Sequence, residues 1–505
     1  MFKRFFCTFL IVGIFVFSLG TLVCFAETSE TSTDGSFSED GFTWHVTEDG
    51  ELIINGSGAM HDCTWGEFPV WYEHAPDVRH IKITGDVTHI GDSAFADFVN
   101  VLDVQLPDSC SVTSIGRSAF DGCSSLVRVT NTDFVSDVGD YAFHGCSHLE
   151  LFDASSSDCN FGRYAFSGCT SLKTVRFKSI RYIDYGLFSS CENLTSIYVE
   201  SPKCSFIGDN AFRDCFVLEH IPFDCGSSIG DSAFANCRSL KSVMSDFVEH
   251  IGNFAFSGCS SLETFTAKTD VFKLGNYAFE NCSSLRSVSF AGVIRYESGG
   301  SMYGGPGYYI FKDCPLLETV HFERIPSIRD HLFFNCSNLK RVSVDSSISF
   351  VAADGFVYCP NLQELVLPDT ITYLHENAFD GMSDLTVVTK ENASYIISYC
   401  KRRAIPCMEV RQVLYGDVNF DGVVNILDVT CLHRYLVGME LPFVRNEVDY
   451  TDILGDVDGD GNADSVDATY IQRYIIGMSV PDFVESRLNG NSVEVLYSLY
   501  DLKQL

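Results

Sequence analysis

A chain of 505 residues that is 46% hydrophobic and 20% charged has the apolar mass for a large core, which excludes global disorder. Its 34 Lys and Arg against 67 Asp and Glu give a formal net charge of −33, which argues against a protein that coats nucleic acid, because phosphate neutralisation needs clustered cations. The 21 cysteines are too dilute for a disulfide miniprotein, so their spacing must decide their role.

In chain order, residues 1–26 read as a secretory signal: Lys3 and Arg4 form the charged start, Phe5 to Phe25 the apolar stretch, and Ala26 a small residue for cleavage. The run approaches a membrane span in length, but polar Thr8, Ser18 and Thr21 and a polar exit favour cleavage. Residues 27–40 read as a linker, and 41–84 as an N-terminal cap built on Trp44, Gly50, Leu52, Ile54, Gly56, Gly58, Met60 and Trp71.

From 85 to 390 a repeat organises the chain. A phenylalanine, usually preceded by Ala, recurs at Phe95, Phe120, Phe143, Phe166, Phe188, Phe212, Phe234, Phe256, Phe279, Phe311, Phe333, Phe356 and Phe379, in steps of 22 to 25 residues with one of 32. Three residues later stands Cys in eleven of the thirteen units; Phe98 and Met382 replace it at the two ends. Three further comes Leu, then apolar residues at strand spacing, as in Leu362, Leu365 and Leu367. One unit cannot bury this side alone, and stacking thirteen at ~4.8 Å per strand gives an array roughly 60 Å long. The expected fold is a repeat solenoid of parallel β-strands, with Ala-Phe-x-x-Cys as a single helical or tight turn.

The run Ile229-Gly230-Asp231-Ser232-Ala233-Phe234-Ala235-Asn236-Cys237 to Leu240 and Val243 resembles the BspA-like bacterial leucine-rich repeats, and residues 40–80 resemble that family's N-terminal cap. The repeat cysteines occupy one equivalent site with parallel side chains, which opposes disulfide geometry and predicts a buried thiol ladder used as small apolar packing. Cys159, Cys204 and Cys225 fall outside this frame and are the better disulfide candidates, without a pairing that can be read. Residues 391–412 read as a C-terminal cap, with a short helix over Ser394 to Arg403 followed by Ile405, Pro406 and Cys407.

After Tyr415 the pattern changes. Asp417, Asn419, Asp421, Gly422, Asn425 and Asp428 stand at positions 1, 3, 5, 6, 9 and 12 of a calcium loop, and Asp456, Asp458, Asp460, Gly461, Asp464 and Asp467 repeat it. Calcium wants several oxygen ligands, which alternate positions of a tightly turned loop deliver to one point; the backbone carbonyls of Val423 and Asn462 complete two Ca²⁺ sites. Each loop leads into a single helix, and entering helices are missing. Residues 413–480 therefore resemble a cellulosomal dockerin, a small α-helical module with two EF-hand-like loops. The resemblance implies a cohesin domain of a scaffoldin as partner. It places recognition at Ile426, Leu427, His433 and Arg434 in the first half and at Ser465, Val466, Gln472 and Arg473 in the second. The two sets differ, which favours one binding face over two equivalent ones; internal helix packing is the alternative role for Ile426 and Leu427. Residues 481–505 carry no assignable role.

Positions two and four after each repeat Leu form the outward strand surface, a hydroxyl-rich, mildly basic stripe suited to an acidic or polar ligand, with Arg128, Arg176, Tyr198, His220, His321 and Arg341 as candidate ligand contacts. Asp153 and Glu364 are its exceptional carboxylates; equally, Ser and Thr there suit exposed strands without any ligand. The nine-residue insertion behind the longest step is rich in Gly and Tyr, including Tyr303, Tyr308 and Tyr309. No HExxH, G-x-S-x-G or phosphate-cradling loop is present. The expected function is a secreted, noncatalytic binding protein of a cellulosome-like assembly, the array meeting a glycan or protein ligand and the resemblance supplying the polysaccharide-catabolism context. A cell-surface adhesin and a carbohydrate-active hydrolase with an unrecognised site are the alternatives.

Overall fold

The computed structural model describes residues 34–37, 41–64, 66–109, 111–202, 204–270, 273–295, 307–390, 393–414, 423–424, 426–436, 455, 457–458, 462–475, 484, 488 and 492–498. The signal and most of the linker therefore lie outside the described residues. No described helix is long and apolar enough to cross a membrane.

The array is a three-sided solenoid, and each side is held rung to rung by backbone hydrogen bonds. On the first side, strands such as Thr174–Ile180 and Ser196–Pro202, or Thr319–Arg324 and Arg341–Ser347, pair in parallel and in register, with Val175 against Ile197 and Val320 against Val342. The second side carries two-residue strands, such as Phe206–Ile207, Ser228–Ile229 and His250–Ile251. On the third side, alternate residues donate to the next rung: Asn210 N–H to Asp231 O at 2.8 Å, Phe212 N–H to Ala233 O at 2.7 Å and Asp214 N–H to Ala235 O at 2.8 Å. The Ala-Phe-x-x-Cys stretches are tight turns, not helices. Left-handed residues two before and two after the phenylalanine shape them, as at Asn210 (φ 56°) and Asp214 (φ 62°). Asn and Asp tolerate this region better than most side chains.

Three columns fill the interior. The phenylalanine rings stack along the axis at centroid separations such as 5.2 Å for Phe120–Phe143 and 5.3 Å for Phe212–Phe234. All eleven repeat cysteines and the Leu column are buried beside them. No disulfide joins the described cysteines, Cys159, Cys204 and Cys225 included. The thiols do more than pack. Each donates to the carbonyl of the preceding unit's phenylalanine, for instance Cys169 Sγ to Phe143 O at 3.1 Å and Cys336 Sγ to Phe311 O at 3.0 Å.

Both ends are capped. Phe42–Val46 pairs antiparallel with Glu51–Ala59, which in turn pairs in parallel with His80–Ile90 and so begins the parallel ladder. Trp71 extends the aromatic column, stacking on Phe95 at 5.9 Å while its indole N–H donates to Ala94 O at 2.8 Å. At the other end the helix Ser394–Arg403 forms as expected, and Tyr399 meets Phe379 edge-on while its hydroxyl donates to His375 O at 2.8 Å. Ala404 takes the left-handed conformation, and Ile405 N–H returns to Cys400 O at 3.0 Å, a Schellman closure that turns the chain into the strand Cys407–Leu414. That strand pairs in parallel with Thr386–Lys390 and, on its other edge, antiparallel with Ser492–Ser498. The C-terminal segment, to which the sequence assigns no role, thus has a place in the fold.

Candidate functional site

The duplicated loop module is organised around two helices, Ile426–Leu436 and Ser465–Ile475. Val429, Leu432, Val457, Ala463, Ala468 and Ile471 form its core, separate from that of the array. Asp428 and Asp467, at equivalent positions in the two halves, are both fully buried. Asp467 explains how the second loop closes. Its Oδ1 accepts the N–H groups of Val457 at 2.9 Å and Asp458 at 3.1 Å, and its Oδ2 accepts Asp464 N–H at 2.8 Å. Asp464 in turn accepts Val466 N–H at 2.6 Å, so Asp464 and Asp467 form a reciprocal capping box at the helix start. Burial pushes the Asp467 carboxyl above its ordinary range, against the backbone N–H donors that lower it.

By their chemistry these residues fit a hard cation: the described Asp458, Asn462, Asp464 and Asp467 carry carboxylate and amide oxygens, and no cationic side chain among the described residues forms an ion pair with Asp467. Val423, Asp428, Asp458, Asn462, Asp464 and Asp467 are described; Asp417, Asn419, Asp421, Asn425, Asp456 and Asp460 lie outside the described residues.

The expected partner-binding positions separate clearly from this core. Ile426 and Leu427 are 53% and 56% exposed and Val466 is 46% exposed, at the first turns of the two helices. Neither Ile426 nor Leu427 is among the buried residues of the module's core. Ser465, His433 and Gln472 are exposed as well, while Arg434 and Arg473 are half-buried.

On the array, five of the six expected contacts lie on strands of the first side: Arg128 in Arg128–Thr130, Arg176 and Tyr198 in their paired strands, and His321 and Arg341 in theirs. His220 does not. It is exposed, but the ladder is interrupted between Ser196–Pro202 and Thr264–Ala267, and Pro222, which has no N–H to donate, stands two residues later. The stripe also holds more carboxylate than expected. Arg128 lies 3.7 Å from Asp103, Arg176 3.8 Å from Asp153, and Arg341 3.2 Å from Glu364, each one rung away, and His321 is 3.5 Å from Asp345. Asp103 escapes the Leu-based count because the first unit has Val101 in place of Leu, and Asp345 lies beyond the positions counted. The face is one of paired charges rather than mildly basic. Arg176 also sits over the Tyr198 ring at 5.3 Å. His321 and Arg341 border a groove of about 1300 Å³ at the C-terminal end, lined also by Glu364, Val366, Lys390 and Met408.

Of the insertion, Gly307, Tyr308 and Tyr309 are described; Tyr296, Gly299, Gly300, Tyr303, Gly304 and Gly305 lie outside the described residues. Tyr309 joins a second, outer aromatic ladder, stacking on Tyr277 at 5.1 Å.

Comparison with known proteins agrees with this division. The BspA type leucine rich repeat region matches in six copies over residues 88–219, 205–303 and 307–405, and the dockerin type I domain matches residues 415–476. Among solved structures, a leucine-rich repeat protein from Bacteroides ovatus is similar at 24% identity over 70% of this chain and 100% of its own, with a TM-score of 0.49. Another from Eubacterium ventriosum shares 23% identity over 68% of this chain and 93% of its own, with a TM-score of 0.42. A leucine rich cell surface protein from Faecalibacterium prausnitzii shares 22% over 74% and 98%, with a TM-score of 0.37. No curated protein matches the chain.

Proposed function

The chain belongs to the BspA-type leucine-rich repeat family and carries a dockerin type I domain, and from that premise we propose that it is a noncatalytic binding component of a cellulosome-like assembly outside the cell. The dockerin binds two Ca²⁺ through the loops at 417–428 and 456–467 and docks onto a cohesin of a scaffoldin. The array presents its strand face to a glycan or protein ligand, in the setting of polysaccharide catabolism. The observation that carries the docking half is the exposure of Ile426, Leu427 and Val466 at the start of two helices whose Val429, Leu432, Ala468 and Ile471 are buried in the module's core. Apolar side chains held in water at the first turns of two packed helices fit a partner surface better than they fit the free module.

For the array, support comes from the rigid ladder that fixes Arg176, Tyr198, His321 and Arg341 in place, and from the groove beside the last two. Paired charges there favour a polar ligand over a strongly acidic one. The deciding experiment uses the protein as bait against the secreted proteins of its source organism, with and without a calcium chelator. A cohesin-bearing protein should be captured and then lost on chelation; if none is lost, the docking reading fails.

A further inference from the structure

We propose that the C-terminal segment ties the calcium module to the array, so that calcium loading and the integrity of the array's last strands form one thermodynamic unit. Val484 and Leu488, four residues apart, are buried in the module's core with Val429, Leu432 and Ile471. A few residues later Ser492–Ser498 pairs antiparallel with Cys407–Leu414 in seven register steps, from Leu414 opposite Ser492 to Met408 opposite Ser498. The same short segment therefore touches the module with its first part and the array with its second. The module also leaves the sheet at Leu414 and returns to it at Ser492, directly opposite.

Two consequences follow from this topology. Without its partner, Cys407–Leu414 would be an edge strand offering an unpaired row of backbone groups beside Val410, Val413 and Leu414, a template for unwanted association. The partner strand can only be held cheaply if the residues between 414 and 492 are folded with their ends together, because closing a long flexible loop costs entropy that a folded module does not incur again. Calcium, by ordering the module, lowers that cost and stabilises the strand pair. By linkage the pair must raise calcium affinity by the same factor.

The inference rests on the calcium reading of the module, and hydrogen exchange on the full chain separates the two. Chelation should raise exchange at 407–414 and 492–498 along with 457–467. Leu496→Pro, which puts a fixed φ and a ring in the middle of the strand opposite Val410, should weaken calcium binding in a direct titration by about fivefold or more, the lower end of typical coupling between sites. A calcium response confined to 457–467, with both strands unchanged, overturns the tie while leaving the calcium reading intact. No calcium response at 457–467 overturns the calcium reading and the tie with it.

Discussion

The Cys237 thiol donates to the Phe212 carbonyl at 3.0 Å, and that same carbonyl accepts the N–H of Cys215 at 3.1 Å, closing its own turn. One carbonyl oxygen thus serves its own unit and the next, and the relation recurs along the array. Cys is small enough for the column and still carries a donor. Cys237→Val keeps the apolar character and deletes the donor, and should cost about 0.5–1.5 kcal/mol, the net value of one intramolecular hydrogen bond. Cys237→Ser retains a donor and should cost less than Cys237→Val. Thermal midpoints of the two variants test this; a Val variant as stable as the parent would reduce the thiol to packing.

The closeness of the rungs rests on glycine at the second-side corner. A Cβ on Gly252 would lie 2.5 Å from both Asp231 N and Asp231 Oδ1 and 2.6 Å from the Gly230 carbonyl carbon, contacts mostly with backbone that cannot swing away. Gly252→Ala should therefore cost about 1–3 kcal/mol as overpacking and open the stack locally to protease near residue 252. Gly381 is the control, with φ +82° but nothing within 4 Å of the place a Cβ would take. There Ala meets only the left-handed strain, about 1–2 kcal/mol, and should not expose a new cleavage site.

The buried thiols also predict an alkaline weakness. Burial pushes the Cys169, Cys191 and Cys259 thiols well above their ordinary pKa, and it raises that of Cys204 to about 11. In the unfolded chain they titrate at about 8.5, so as pH rises the unfolded state releases protons that the folded state retains. Stability is level below that value and is lost progressively above it, through the window up to the raised pKa. In reductant, the thermal midpoint should fall from about pH 8.5 upward, and replacing Cys169 and Cys191 by Ala should flatten the decline. A midpoint that stays constant to pH 10 would contradict the burial of the ladder.

Much of this architecture is legible from spacing alone because a stack buries the same columns in every unit: Phe, Cys and Leu fall at fixed offsets, and Trp71 and Tyr399 stand where those columns need ends. The left-handed turns are not legible in the same way. Tyr141, Tyr164, Phe254 and Tyr277 all adopt positive φ, which bulky residues avoid locally, and rung-to-rung hydrogen bonds and ring stacking such as Tyr141 on Tyr164 hold them there. The break at His220 had a signal in Pro222, which a count from Leu passes over. The closing strand had one in the β-formers of Ser492–Ser498, SVEVLYS, yet strand propensity names no partner, and its partner lies far back at Cys407–Leu414. In the module, loop spacing reveals candidate ligands, whereas the double use of Asp464 and Asp467 as a helix cap appears only in the geometry.

That double use sharpens what Asp467 does. Asp467→Asn preserves volume but leaves a single acceptor oxygen where the carboxylate now accepts three backbone N–H groups through two. The second loop should lose about 1–3 kcal/mol from the unpaired N–H groups and bind calcium more weakly. Calorimetric calcium titration checks this, with far-UV circular dichroism reporting helix content. Calcium affinity unchanged in Asp467→Asn would remove the residue from the ligand set.

The two exposed patches differ in chemistry, and that difference predicts one preferred docking face. Ile426 and Leu427 present two large aliphatic groups, whereas the equivalent Ser465 and Val466 present a hydroxyl and one smaller group. Interface energy concentrates in a few apolar anchors that become fully desolvated, so the two faces cannot bind the same cohesin surface equally. Ile426→Ala with Leu427→Ala should lower cohesin affinity by about 2 kcal/mol or more, roughly thirtyfold. Ser465→Ala with Val466→Ala should change it by less than about threefold. Surface plasmon resonance on the full chain with calcium present measures both. Equal losses would mean that both faces serve in docking, and a loss confined to the second pair would assign the binding face to the helix Ser465–Ile475.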